Sequence, residues 1–403
     1  MLEHALSVIP NLDKCLYEGA TLITRIDINS PIYNNKITDD FRIRAHARTL
    51  AELSKAGSKV VVLAHQGRPG QDDFTSLALH RELLAKYLGR PIEFVEDIIG
   101  PYALKRIKKL DDGEVLLLEN VRMLSEELVE APPERHAHSW LVEKLAPLAR
   151  YYVFDGFAVA HRSQPSVVGF PMRLPSCLGR VMEGELRALS EVWRNRDRAV
   201  LVVGGAKVPE SLRAIAEVLE RGLTNKVLVG GLVAAVFASA RYGAKRLMRS
   251  FLEEKGLVSE VEKARRLLDE YKDNIILPID FKFEGAGEAR ANDLAEVPAD
   301  IGDETILLYK DIIKNYDIIV ITGPLGKIEN EKFIKGTYEI LKEASAKRAV
   351  IGGGHTILAT ERAGLLEKMY HISTGGRAFL MALSEGLPAV RALIKSAEMY
   401  WRA

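Results

Sequence analysis

Two sets of residues in this chain have types and spacing suited to chemistry, and both sit directly after short apolar runs. In the first half they are Arg25, Asp27, Asn29, Arg42, His65, Arg68, Arg122, His161 and Arg162. Several guanidinium groups converging on one place suit a small polyanion, because each can hold a carboxylate or phosphate through two parallel charge-assisted hydrogen bonds. Asp27 and Asn29 could then read a substrate hydroxyl. In the second half the junctions are Gly204-Gly205-Ala206-Lys207, Gly230-Gly231, Gly323-Pro324-Leu325-Gly326 and Gly352-Gly353-Gly354-His355-Thr356. Glycine lets the backbone come close to an anion, and the free N–H groups of a following helix favour negative charge there.

Each residue also has a plainer reading. A single arginine can be a solvated surface group, an isolated Gly-Gly a tight turn, and Lys207 a solvated cation. Recurrence after successive runs sets the collections apart. Lys207, just beyond a run, could follow a migrating phosphoryl group as a point charge. No G-x-x-x-x-G-K-[ST] occurs, Gly285-Ala286-Gly287 lacks the third glycine of a dinucleotide fingerprint, and the familiar kinase glycine-loop motifs are missing.

The elements that must position these residues are legible as alternating patterns. Apolar runs fall at 21–27, 59–65, 91–97, 114–120 and 150–156, then at 198–205, 225–231, 274–280, 317–324 and 348–354. Amphipathic stretches between them (42–56, 76–88, 135–149, 211–222, 259–272, 331–345) are long enough for right-handed crossover helices. The expected class is α/β, two doubly wound, Rossmann-like parallel-sheet lobes, with a Pro-rich loop turning into a hinge helix at about 180. A length of 403 residues fits two cores, and ligands belong at the carboxyl ends of the strands and in the cleft. The pattern of the last helical stretch, 388–400, does not say which lobe it joins.

Composition narrows the class. With 47% apolar and 28% charged residues and no run of membrane-spanning length, the chain reads as an ordinary globular protein. A net charge of +1 argues against a surface built for nucleic acid. The start lacks the layout of a secretory signal, so a cytoplasmic location is expected. Cys15 and Cys177 fit a reducing compartment and read as two inert core residues. Glutamine occurs only at Gln66, Gln71 and Gln164 while Lys, Arg and Glu abound, a bias of heat-adapted proteins.

Read in order, RIDINSPI with ITDDFRIRA, AHQGRPG, LLLENVR, DGFAVAHRSQPS, GGAKV, LPID, PADIG, GPLGKIE, GGGHT and HISTGG resemble the phosphoglycerate kinase family, from about residue 21 to about residue 388. The resemblance implies reversible phosphoryl transfer between 1,3-bisphosphoglycerate and ADP, giving 3-phosphoglycerate and ATP, in line and after hinge closure. It assigns residues 1–180 to a phosphoglycerate-binding lobe, with 388–403 as a candidate addition, and 181–387 to a nucleotide-binding lobe. Carried over position by position, Asp27, Asn29, Arg42, His65, Gly67, Arg68, Arg122 and Arg162 bind phosphoglycerate, with Arg25 and His161 supporting them. Lys207, Glu329 and Gly352, Gly353, Gly354, His355 and Thr356 match positions that hold ATP or ADP, bordered by Gly205, Gly230 and Gly323. Arg42 and Lys207 are the expected catalytic pair, Mg2+ is expected to arrive with the nucleotide, and a monomer without membrane or nucleic-acid partners is expected.

The chain departs from the commoner family pattern at several places. His355 stands where an Asp associated with the metal-bound nucleotide is usual. Thr322, Ser211, Phe154 and Arg377 replace an Asn, a second Lys, an Asn and a Gly. These substitutions point to an archaeal branch and leave magnesium placement open. His355 itself reads equally as a phosphate contact or as a helix-start residue. Two rivals remain: a dehydrogenase, disfavoured by the missing glycine fingerprint, and a non-catalytic binding protein, disfavoured by the retained Arg42 and Lys207.

Overall fold

A computed structural model describes residues 2–285, 287–384 and 386–401. Its contacts divide the chain into two units, Met1–Arg187 with Gly386–Ala403, and Ala188–Glu385.

The first unit is built on six parallel strands: β1 (Thr21–Arg25), β2 (Lys59–Leu63), β3 (Glu93–Val95), β4 (Val115–Leu118), β5 (Tyr151–Phe154) and β6 (Ser176–Leu178). Their spatial order is β3-β4-β2-β1-β5-β6. β4 (VLLL) and β5 (YYVF) are buried at every position. Such unbroken apolar strands require a cover on both faces, which crossover helices provide. One of these, α1 (Phe41–Lys55), buries Ile43, His46, Ala47, Leu50 and Leu53, one stripe at helical spacing that contains a single imidazole.

The second unit repeats the plan with β7 (Ala199–Val203), β8 (Lys226–Val229), β9 (Ile275–Ile276), β10 (Ile318–Thr322), β11 (Arg348–Gly352) and β12 (His371–Ser373). The order is β9-β8-β7-β10-β11-β12, again all parallel. In both sheets the chain leaves the centre in one direction and later returns on the other side. That reversal opens a crevice between β1 and β5 in one unit and between β7 and β10 in the other.

Several elements differ from the sequence expectation. The stretch 135–149 is not one helix: it divides into Pro133–His136, Trp140–Leu145 and a 3-10 turn Ala146–Leu148, because Ser139 starts a new helix by accepting a hydrogen bond from Val142 N at 3.4 Å. The run 274–280 contributes only β9 to the main sheet. Beyond Pro278 the chain turns away, and Asp280–Phe283 pairs with Gly287–Arg290 and Asp300–Ile301 in a small antiparallel sheet. HISTGG begins with the edge strand β12.

The helix α2 (Arg180–Arg194) starts in the first unit and continues into the second. The last helix (Pro388–Tyr400) packs on the first unit. There Ala389 N donates to Ala160 O at 3.1 Å, Ser396 Oγ to Leu174 O at 3.0 Å, and Trp401 stacks on Tyr151 with ring centroids 5.9 Å apart.

Cys15 and Cys177, expected as two separate inert residues, are instead paired as a buried disulfide across 162 positions of sequence. It ties the loop after the first 3-10 turn to the edge strand β6. Closing so long a loop constrains the unfolded chain, so reduction should lower unfolding free energy by about 2–5 kcal/mol. Thiol titration of the denatured, unreduced chain should find no free thiol; two free thiols and no effect of reductant on denaturant unfolding would refute the pairing.

Candidate active site

The carboxyl end of β1 carries the centre of the first constellation. Arg25 is completely buried, and its guanidinium donates to the carbonyls of Ile26 (2.8 Å) and Leu63 (3.3 Å) and approaches His65 Nδ1 at 3.2 Å. Facing a donor, His65 Nδ1 must accept, so the imidazole is neutral there; its 3.7 Å approach to Asp27 Oδ1 is therefore not an ion pair. Burial agrees, pushing the His65 pKa well below its ordinary value, with the neighbouring arginines adding to the effect against Asp27.

Asp27 is buried at 1% exposure. Its Oδ2 accepts from Arg42 at 3.0 Å and its Oδ1 from Asn29 N at 3.1 Å. Burial alone would raise the carboxyl pKa; the Arg42 charge and the Asn29 N–H oppose it, and the result is about 2. Arg42 also donates to Asn29 O at 3.1 Å and keeps about a third of its side chain exposed. Asn29 Oδ1 in turn accepts from Gly67 N at 2.8 Å. Gly67 has φ +63°, and a Cβ there would meet the Asp73–Phe74 backbone at 2.6 Å, so only glycine fits.

Arg122 donates to Gly67 O and is almost fully buried. Desolvation, reinforced by the charges of Arg162, Arg25 and Arg68, lowers its pKa to about 10. A guanidinium destabilised by burial and like charge is one that an anion would stabilise. Arg68 is exposed, Arg162 approaches Glu130 at 3.6 Å, and His161 is half-buried beside it. The residues expected from sequence therefore form one basic group around β1, with His161 at its margin.

The second unit presents its strand ends differently. A cavity of about 880 Å³ is lined by Gly204, Gly205, Lys207, Thr322, Gly323, Gly353, Gly354, His355 and Thr356 among others. Two helices begin at this lining, α3 (Val208–Glu220) and α5 (Gly354–Arg362); a third, α4 (Gly231–Tyr242), begins outside it, where Gly231 N donates to Leu325 O at 2.9 Å and Leu232 N to Gly205 O at 3.1 Å. The loops touch backbone to backbone at the crevice: Gly204 N donates to Thr322 O at 2.8 Å and Gly205 N to Pro324 O at 2.7 Å. A Cβ on Gly323, φ +79°, would lie 2.3 Å from Gly204 O. Thr356 is buried, its Oγ1 accepting from Gly323 N at 2.8 Å, which ties the loops after β10 and β11 together.

Lys207 and His355 are both exposed on this cavity. His355 is no core residue, and it lies in the first turn of α5, a place that fits both a phosphate contact and a helix-start residue. Gly230, Glu329 and Gly352 do not line the cavity. Gly230 lies against Leu325, Glu329 is exposed on a turn after the Gly-Pro loop, and Gly352 is the buried last residue of β11. Ser211 and Thr322 both line it, whereas the side chain of Arg377 lies outside the described residues.

Sequence reasoning missed the polar frame under the basic group. Gln66 accepts from Ser30 N (2.9 Å) and donates to Ser30 O (3.0 Å), while Asn120 Nδ2 donates to Gln66 O (2.8 Å) and Thr75 O (2.9 Å). Buried Glu127 accepts from Ser166. His46 and Asp155 form a fully buried pair. For His46 a signal existed: it lies four residues after Arg42, on the apolar stripe of α1.

Comparison with known proteins came out uniformly. Residues 12–386 match the family model described as Phosphoglycerate kinase. The phosphoglycerate kinase of Pyrobaculum aerophilum is 55% identical over 405 residues, covering 99% of each chain. That of Sulfolobus acidocaldarius is 44% identical over 400 residues, covering 96% of each. The crystal structure of phosphoglycerate kinase from Pyrococcus horikoshii matches with a TM-score of 0.91 at 38% identity, over 97% of this chain and 100% of that one.

The electrostatics of Asp27 carry a stability consequence. Its carboxyl has a pKa of about 2 in the folded chain, below the ordinary 3.8, so the folded state binds the proton less readily. The resulting stabilisation is complete above the unfolded pKa and is lost as pH falls through about 2. Denaturant unfolding should therefore show the stability difference between wild type and Asp27→Asn shrinking by about 2 kcal/mol from pH 5 to pH 2. A difference independent of pH would mean that the Arg42–Asp27 pair does not form.

Proposed function

Since the chain belongs to the phosphoglycerate kinase family, we propose that the basic group around β1 holds the phosphoglycerate and that the glycine loops of the second unit hold ADP or ATP. The reaction is reversible phosphoryl transfer between 1,3-bisphosphoglycerate and ADP, giving 3-phosphoglycerate and ATP.

The observation that carries the assignment of substrates is the contrast between the two crevices. The first offers side-chain cations: Arg122, destabilised by burial and neighbouring charge, and Arg42, partly exposed while braced by Asp27. That set suits a small compound with both a carboxylate and a phosphate. The second offers main-chain N–H groups at the starts of α3 and α5 and an exposed lysine, which suit a phosphate chain. Glu329 is proposed to hold the ribose hydroxyls.

In the ATP-consuming direction, a carboxylate oxygen of 3-phosphoglycerate attacks the γ-phosphorus. The bond to the β,γ-bridging oxygen breaks, and ADP leaves with that electron pair. No phosphoenzyme is needed, so the protein's work is positioning and neutralising charge. Arg42 and Lys207 are proposed to take up charge that develops on the transferring group. With one substrate assigned to each unit, transfer requires hinge closure, which also keeps water from the acyl phosphate.

Mg2+ is proposed to enter bound to the nucleotide's phosphates, as part of that substrate. Among the described residues no three His, Cys, Asp or Glu side chains cluster so as to hold an ion. The reading includes a cytoplasmic monomer that engages neither membrane nor nucleic acid. Among the described residues no helix is long and apolar enough to cross a membrane, and the net charge is +1.

A coupled assay with 3-phosphoglycerate and Mg-ATP tests the whole. Arg42→Ala and Lys207→Ala should each reduce kcat about 100-fold or more while changing KM far less; unchanged turnover in either removes its role. His355→Ala should raise KM for ATP more than KM for 3-phosphoglycerate and leave the melting temperature unchanged, given its exposure on the cavity. Lower thermal stability with both constants intact would return His355 to a helix-start role.

A further inference from the structure

The buried His46–Asp155 pair belongs neither to the basic group nor to the apolar core, yet it connects two places that matter. His46 Nε2 accepts from the main-chain N–H of Asp27 at 3.3 Å, and its Nδ1 lies 2.8 Å from Asp155 Oδ2. An imidazole that accepts at Nε2 carries its proton on Nδ1, so it donates to Asp155. The other carboxylate oxygen, Asp155 Oδ1, accepts from Val181 N at 2.9 Å and Met182 N at 3.2 Å, in the first turn of α2. Asp155 N donates to Arg25 O at 2.9 Å, which fixes its backbone beside β1. A Cβ on Gly179 would fall 2.2 Å from Asp155 Oδ1, so the approach of helix start to carboxylate is as close as a glycine permits.

Both side chains are fully buried. A carboxylate placed on free N–H groups at a helix start is favoured by the helix dipole. An apolar residue at position 46 would suit the stripe of α1 but would leave two buried groups, Asp155 Oδ2 and the Asp27 N–H, without this partner, an unfavourable desolvation. The imidazole adds a connection. One side of Asp27 is braced by Arg42, one helical turn earlier on α1, and its main chain by His46. The hydrogen-bonded path runs Asp27 N–H, His46, Asp155, and the first turn of the helix that passes from one unit into the other.

We propose that His46 is a positioning residue that couples the phosphoglycerate-reading Asp27 to the capped start of α2. The inference rests on the assignment of Asp27 to phosphoglycerate. A shift of the Asp27 segment on binding is transmitted through a rigid buried imidazole to the helix start, so the carboxylate cap and the substrate segment move as one piece.

Two conservative variants separate the arms of the path in the full-length chain. A glutamine amide reaches the place of Nε2, so His46→Gln keeps an acceptor for Asp27 N–H and loses the donor to Asp155. An asparagine amide reaches the place of Nδ1, so His46→Asn keeps the donor to Asp155 and loses the acceptor. The expected result is a split: His46→Gln lowers kcat about tenfold with KM for 3-phosphoglycerate within about twofold, whereas His46→Asn raises that KM about tenfold. KM for ATP stays unchanged in both. If both variants merely melt at lower temperature with wild-type constants, or change kcat and KM alike without a split, His46 is structural and the coupling is wrong. Should His46→Ala fail to fold, this pair still decides. Asp27→Asn is the separate control: if KM for 3-phosphoglycerate is unaffected there, the assignment of Asp27 fails, whatever the His46 variants show.

Discussion

Burying charge at the carboxyl end of β1 is the constraint on which the first unit depends. Arg25, Asp27, His65 and Arg122 are all close to fully buried. Such groups are tolerated only when each finds partners, because desolvation of an unpaired ion costs several kcal/mol. Each therefore dictates a neighbour. Arg25 takes two carbonyls and a neutral imidazole, Asp27 takes Arg42 and Asn29, and Arg122 takes the Gly67 carbonyl. The loops at 27–30 and 65–75 are then held by the amides of Asn29, Gln66 and Asn120. Burial and like charge still leave Arg122 destabilised, the feature on which the proposed anion site rests.

The second unit is built at its strand ends from backbone. The helices α3 and α5 start on its cavity, and the loops beside them touch through Gly204, Gly205 and Gly323 without intervening side chains. Replacing Ser211, Thr322 or His355, which line the cavity, would leave the glycine contacts that shape the crevice in place. In the first unit a comparable exchange at Arg25 or Asp27 would strand a buried partner, a far larger penalty.

α2 begins under the Asp155 carboxylate and continues into the second unit, while Pro388–Tyr400, following the second unit in sequence, packs on the first. The chain thus leaves the first unit once and returns to it, so the second unit is an insertion between two parts of the first. The disulfide between Cys15 and Cys177 closes the first part on itself just before the chain departs.

Much of this protein was determined by its sequence alone. The apolar runs predicted both parallel sheets, because a strand covered on two faces must be apolar throughout, as in Val115–Leu118 and Ala199–Val203. The strand-end arginines and the glycine junctions were legible for a similar reason: chemistry in this architecture follows the strands, and special residues there have few other uses. What the tertiary structure decided were matters of partnership. Cys15 and Cys177 lie 162 residues apart, and no spacing rule pairs them. Residues 274–283 split between two sheets at Pro278, which a run of apolar residues conceals. The exposure of His355 could not be read from three preceding glycines, since a helix start can face water or core. His46 shows the limit most plainly: it lies on the apolar stripe of α1, and its hydrogen-bond partners, Asp27 and Asp155, are 19 and 109 residues away. Local pattern records which face of an element is buried; which polar groups meet there is settled only when distant segments pack.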